Sequence, residues 1–272
     1  MNFTQRLRHA QEERASLLCI GLDTDRAKIP GALAGEPDPV FAFNRQIIDA
    51  TRDLVCAYKL NLAFYEALGE HGWETLRRTL AHIPEGIITI GDAKRGDIGN
   101  TASLYAASLF GVYAFDACTV NPYMGRDSVE PFCANPERGV FLLAVTSNPG
   151  ARDFQHLKVR GRPLYDHVVR KARSWNVHTN IGLVVGATRP RQLQSVRALV
   201  PTMPLLIPGI GAQGGDLRQA VRHGCDQGGF LAVINVSRSV IYASGAEDFA
   251  TAARQAALSL RDDINRYREE FF

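Results

Sequence analysis

Residues 87–102, IITIGDAKRGDIGNTA, join an apolar run to three charges and then to a helix-like segment. The run 87–90 has the length and β-branched composition of a strand. It ends in Asp92, Lys94 and Asp97, where a buried strand ordinarily gives way to a plain turn. Asp92 and Lys94 stand two apart, so in an extended chain they point to the same side. Gly96 is then expected to let the backbone turn into a helix beginning near Thr101. A lysine held between two carboxylates at the mouth of a strand is an acid–base device. The plainer alternative is a surface ion pair followed by a helix N-cap on Asp97, Asn100 or Thr101. An Asp-x-Lys-x-x-Asp match arises by chance in roughly one chain in twenty of this length. The pattern therefore needs support from the rest of the sequence.

Working outward, strand-like runs fall at 17–22, 55–59, 87–92, 117–121, 140–146, 181–186, 204–208 and 230–236. Helical spacing occupies 40–54, 73–82, 101–111, 164–175, 192–199, 217–223 and 247–267. The strands are short, nearly all apolar and rich in Val and Ile, as parallel strands buried on both faces are. Eight such units in 272 residues predict an α/β fold, a closed (β/α)8 TIM barrel. A doubly wound open sheet is the alternative that periodicity does not exclude. Without a composition shift or long linker, residues 1–272 read as a single domain with an N-terminal helical extension. The longest stretch without a regular pattern, 147–163 (SNPGARDFQHLKVRGRP), follows the fifth strand, where a lid would sit.

Composition narrows the functional classes. The chain is 46% hydrophobic and 22% charged, which suits a large core rather than disorder. Its 31 basic and 28 acidic residues are dispersed, so a net charge of +3 favours an anionic small molecule over nucleic acid. The first 18 residues lack the apolar centre of a signal peptide, and no apolar run is long enough to span a membrane. Five scattered cysteines read as reduced core residues of a cytoplasmic protein. The histidines show no metal-ligand spacing, so no metal site is expected.

Active sites of such barrels lie at the carboxyl ends of the strands. There the chain places Asp23, Lys59 with Asn61, Asp92 with Lys94, Asn121, and Thr146 with Ser147 and Asn148. Each alone suits a turn, but after successive apolar strands they converge on one mouth. Lys59, Asp92, Lys94 and Asp97 then form an array of alternating sign that holds each group ionised. Two later stretches add a phosphate site. PGIGAQGGD (208–216) follows strand seven, and NVSRS (235–239) follows strand eight. Backbone N–H groups around Pro208, Gly209 and Gly211 can approach a phosphate closely, and Arg238 offers a forked donor.

These residues resemble the orotidine-5′-phosphate decarboxylase family. The resemblance rests on AYKLNLAFYEALG (57–69), GDAKRGDIGNTA (91–102), NPYMG (121–125), TSNPG (146–150), PGIGAQGGD and NVSRS. It looks like the longer bacterial, mycobacterial-type branch and runs from Asp23 to about Tyr242. Leu60 departs from it, since proline is expected after the second-strand lysine, and the segment after Arg152 matches poorly. The resemblance implies a cofactor-free decarboxylation of orotidine 5′-monophosphate to UMP and CO₂, the last step of UMP synthesis. It implies that Lys94 delivers the proton to C6, flanked by Asp92 and Asp97. Lys59 with Asp23 would hold the ribose, Ser147 the pyrimidine edge, and Gln213 with Arg238 the phosphate. Asp97 and Thr101 would reach into a neighbouring subunit's site, making a homodimer.

Two rivals remain. Sugar-phosphate decarboxylases or aldolases with the same Asp-x-Lys-x-x-Asp strand use Mg²⁺ and need a carboxylate at the end of strand two. Lys59 stands there instead, a cation where a cation would bind. The other rival is a non-catalytic phosphosugar- or nucleotide-binding barrel.

Overall fold

Eight strands close into one parallel barrel in chain order: β1 (Leu18–Gly21), β2 (Ala57–Asn61), β3 (Ile88–Arg95), β4 (Ala117–Val120), β5 (Gly139–Val145), β6 (Ile181–Val185), β7 (Leu205–Pro208) and β8 (Ala232–Val236). The computed structural model describes residues 1–211 and 214–272. Closure rests on β1 pairing with β8, Leu18 opposite Ile234, which excludes the open sheet. Helices cover the outside, and among the described residues none is long and apolar enough to cross a membrane.

Period-two alternation sorts each strand into two columns. Leu18, Ile20, Tyr58, Leu60, Leu142 and Leu183 face the helices and join the larger apolar cluster. Leu60, where proline was expected, is an ordinary buried strand residue opposite Gly91. Cys19, Ala57, Ile88, Ile90, Phe141, Val184, Leu206 and Val233 form a second cluster inside the barrel. Two residues further along the same inner columns come Lys59, Asp92, Pro208 and Asn235. The interior is thus apolar at its floor and polar at its mouth.

The amphipathic start of the chain closes that floor. Helix Phe3–Glu13 carries Phe3, Leu7 and Ala10 into the inner cluster. Phe3 meets Phe141 edge to face at 5.9 Å. Gly139 permits this approach, since a Cβ there would lie 2.4 Å from the Phe3 ring. Gln11 locks the helix down, donating to Ala232 O at 2.8 Å and accepting from Leu231 N at 2.9 Å. Phe3→Ala is expected to cost about 3–5 kcal/mol, the usual loss for a buried aromatic. Urea denaturation measures it, and a loss within the scatter of surface substitutions would contradict this packing role.

The structure departs from the sequence reading in several places. Helix Arg126–Cys133 was not expected, because it is short and holds Pro131. The helix after β3 runs Gly99–Ala107 and ends in a π turn, Ser108–Val112, instead of continuing regularly. Residues 147–163 are not irregular: they contain helix Ala151–Phe154 and a two-stranded hairpin, Lys158–Val159 with Arg162–Pro163. Arg160 and Gly161 both have positive φ at its tip, the geometry of a tight two-residue hairpin turn. Finally, Gly96 is not where the backbone enters the left-handed region. Lys94 (φ +48°) and Gly99 (φ +53°) are, whereas Gly96 allows a close pass by Asn121 O, 3.2 Å from where a Cβ would stand.

Candidate active site

A cavity of about 340 Å³ opens at the carboxyl ends of the strands. Among its walls are Asp23, Lys59, Asn61, Asp92, Lys94, Ser147, Pro208, Gly209 and Arg238. Strands that are neighbours in the barrel carry the charged centre. Lys59, on the inner face of β2, donates to Asp23 Oδ1 and to Asp92 Oδ2, each at 3.1 Å. Lys94 donates to the other oxygen of Asp92, Oδ1, at 2.7 Å. Asp92 therefore bridges two ammonium groups.

Burial and charge compete at this centre. The Lys59 side chain is only 5% exposed, and desolvation disfavours its charge; Asp23 and Asp92 outweigh that and hold its pKa above the ordinary lysine value. Burial likewise pushes the Asp92 carboxyl up, yet Lys59, Lys94 and the Thr119 hydroxyl together lower it to about 2. The stabilising contribution of Asp92 is complete above its ordinary value of 3.8 and is lost only as pH falls through about 2. Near neutral pH Lys59 and Asp92 therefore keep their charges. Lys94 differs from Lys59 in access: its side chain is 49% exposed, beside the cavity. The pair is thus neither a simple surface ion pair nor wholly sealed.

Asp97 is half-buried, its Oδ1 accepts the N–H of Ile98, and it does not line the cavity. It does not cap the following helix, whose N-cap is Ile98 with no side-chain cap bond. Thr101 is exposed on that helix and also stands away from the cavity. Asn121 lies outside it too, its Oδ1 accepting from Tyr123 N at 3.1 Å. Asn61 serves both purposes, lining the cavity and capping helix Leu62–Glu66 through Ala63 N.

The loops after β7 and β8 meet at the far wall. Gly211 has φ +78°, a conformation that favours glycine, and a Cβ there would also fall 2.5 Å from Ser239 Oγ. Gly215 N donates to Gly209 O at 3.0 Å. Gln213 lies outside the described residues. Arg238 is exposed at the start of helix Arg238–Ile241 and makes no ion pair among the described residues.

Sequence reasoning missed Thr119 and Asn235, both buried and both lining the cavity. Each occupies an inner column, Thr119 two residues after Ala117 and Asn235 two after Val233. That period-two position was the available signal, and it was obscured because each sits inside an apolar run.

Comparison with known proteins agrees with this geometry. The chain is 52% identical over 271 residues to the orotidine 5′-phosphate decarboxylase of Azoarcus sp., covering 98% of this chain and 100% of that protein. It is 48% identical over 275 residues to the enzyme of the same name from Dehalococcoides mccartyi, with full coverage of both (100% and 100%). The solved OMP decarboxylase of Leishmania donovani superposes with a TM-score of 0.85 at 40% identity, covering 99% of each chain. A sequence profile described as orotidine 5′-phosphate decarboxylase / HUMPS family matches residues 16–256. With its charged centre and two adjoining loops at the mouth of a parallel barrel, the chain belongs to the orotidine 5′-phosphate decarboxylase / HUMPS family.

Proposed function

We propose that this chain decarboxylates orotidine 5′-monophosphate to UMP and CO₂ without a cofactor, the last step of UMP synthesis, with Lys94 as proton donor. The observation that carries this reading is the accessible Lys94 ammonium, held 2.7 Å from Asp92 at the cavity wall. As CO₂ leaves, the electron pair of the broken C–C bond stays on C6. An adjacent ammonium stabilises that charge and then transfers its proton to C6, and Lys94 regains a proton from solvent. Asp92 holds that ammonium in place through their 2.7 Å contact. Lys59 with Asp23 orients the ribose hydroxyls, Ser147 faces the pyrimidine edge, and Gln213 with Arg238 holds the phosphate. Binding energy from that remote phosphate is available to the transition state.

The Mg²⁺-dependent relatives are disfavoured by Lys59, whose ammonium occupies the space between the carboxylates of Asp23 and Asp92. The decisive assay follows loss of orotidine-monophosphate absorbance with purified protein, a chelator and no added metal. Turnover is expected. UMP binding without turnover supports the non-catalytic alternative, and turnover restored only by Mg²⁺ supports the metal-dependent one.

Arg238→Ala tests the phosphate assignment. It should weaken UMP binding by about 1.5–3 kcal/mol, the worth of a charge-assisted hydrogen bond, and hardly change uridine binding. Titration calorimetry with both ligands checks this. Equal losses for the two would place Arg238 elsewhere.

The same reading makes the protein a homodimer in which Asp97 and Thr101 complete the partner's site. Support comes from exposed apolar residues on the same stretch of chain: Ile98 is 54% exposed and Leu104, on the helix that carries Thr101, 61%. Apolar side chains exposed beside Asp97 and Thr101 are what an association surface presents. Membership of the longer bacterial branch is supported by NPYMG and TSNPG. A cytoplasmic location is supported by five free, buried cysteines.

A further inference from the structure

β3 and β4 do not stay in step. Ile90 and Gly91 face Ala117 and Cys118, but the next aligned pair is Arg95 with Val120. Residues 92–94 therefore bulge opposite the single residue Thr119. A bulge leaves the ladder locally unpaired and re-aims side chains. Here the ladder is repaired by a side chain. The Thr119 hydroxyl accepts the Lys94 N–H at 2.9 Å and donates to Asp92 Oδ1 at 2.8 Å. That oxygen is the one the Lys94 ammonium meets at 2.7 Å. Lys94 meanwhile holds φ +48°, a left-handed conformation that residues with a Cβ rarely adopt. Thr119 is 1% exposed and packed among strands, so its hydroxyl has little freedom to turn elsewhere.

We propose that Thr119 is a positioning residue for the decarboxylation: its hydroxyl holds the bulged backbone at Lys94 and the Asp92 carboxylate in one rigid arrangement that aims the Lys94 ammonium into the cavity. This rests on the reading of Lys94 as proton donor. Thr119 acts through Lys94 and Asp92 and is assigned no proton-transfer step of its own. A buried threonine that merely fills space predicts no separation between turnover and binding.

The test uses Thr119→Ser, Thr119→Ala and the near-isosteric Thr119→Val, with Lys94→Ala measured alongside. For each folded variant, kcat is compared with the Kd for UMP. Val and Ala are expected to lower kcat by about 10²-fold, the cost of misplacing a catalytic group by about an ångström. Their UMP Kd should move far less, and Ser, which keeps the hydroxyl, should recover most of kcat. If Val does not fold, the Ser–Ala pair carries the same comparison. The proposal is overturned if Ala and Val retain near-wild-type kcat, if Ser is as impaired as Ala, or if UMP binding falls in parallel with kcat. Wild-type turnover by Lys94→Ala would remove the proton-donor reading and this proposal with it. A dead Lys94→Ala beside fully active Thr119 variants would remove the positioning role alone.

Discussion

A Lys94→Ala protein should bind UMP and fail to decarboxylate orotidine 5′-monophosphate. Two ammonium groups line the cavity, and their surroundings differ. Lys59 is nearly buried and engaged by both Asp23 and Asp92, whereas half of the Lys94 side chain is open beside the cavity. Only the latter can approach a substrate carbon without leaving a buried network. Positioned acids contribute about 10²-fold or more, so kcat should fall at least that far. The fold should survive, because an exposed side chain is removed and alanine meets no greater penalty than lysine at positive φ. Steady-state kinetics and UMP titration are the paired measurements. Retention of more than about a tenth of wild-type kcat would exclude Lys94 as the sole donor.

Mixing two inactive proteins should restore activity. If each site takes Lys94 from one subunit and Asp97 from its two-fold partner, Lys94→Ala and Asp97→Ala homodimers each carry a lesion in every site. In a mixed dimer one composite site carries both lesions and the other carries none. Co-refolding at equal amounts makes about half the dimers mixed when pairing is random, so about a quarter of wild-type activity should return. Asp97 stands outside the cavity of its own chain, on a flank with exposed Ile98 and Leu104. Mixed dimers demonstrated by tagged co-purification, yet inactive, would refute the shared site.

Much of this architecture was legible because a parallel barrel strand writes its two faces into alternate residues. Ala57–Lys59–Asn61 and Ile88–Ile90–Asp92 each read as an apolar column ending in polar groups, and both columns line the barrel interior. Strand number, the placing of Asp23, Lys59, Asp92 and Lys94 at one mouth, and the approach of the loops after β7 and β8 follow from that local period. Helix Arg126–Cys133 escaped notice because a short element with an internal proline leaves little periodic trace.

Closure was another matter. Periodicity records which face of a strand is buried and says nothing about its partner, so the β1–β8 pairing that separates barrel from open sheet exists only in three dimensions. The same holds for helix Phe3–Glu13, amphipathic in sequence but a floor plug only through its contact with Phe141 and Ala232. Asp92 and Lys94 meet as their spacing suggests, though not by the extended geometry that spacing assumes. A register shift against β4 and the left-handed turn at Lys94 bring them together, with Thr119 binding both. The residue types of this site are a property of the sequence. Their aim depends on a mismatch between two strands, which neither strand carries alone.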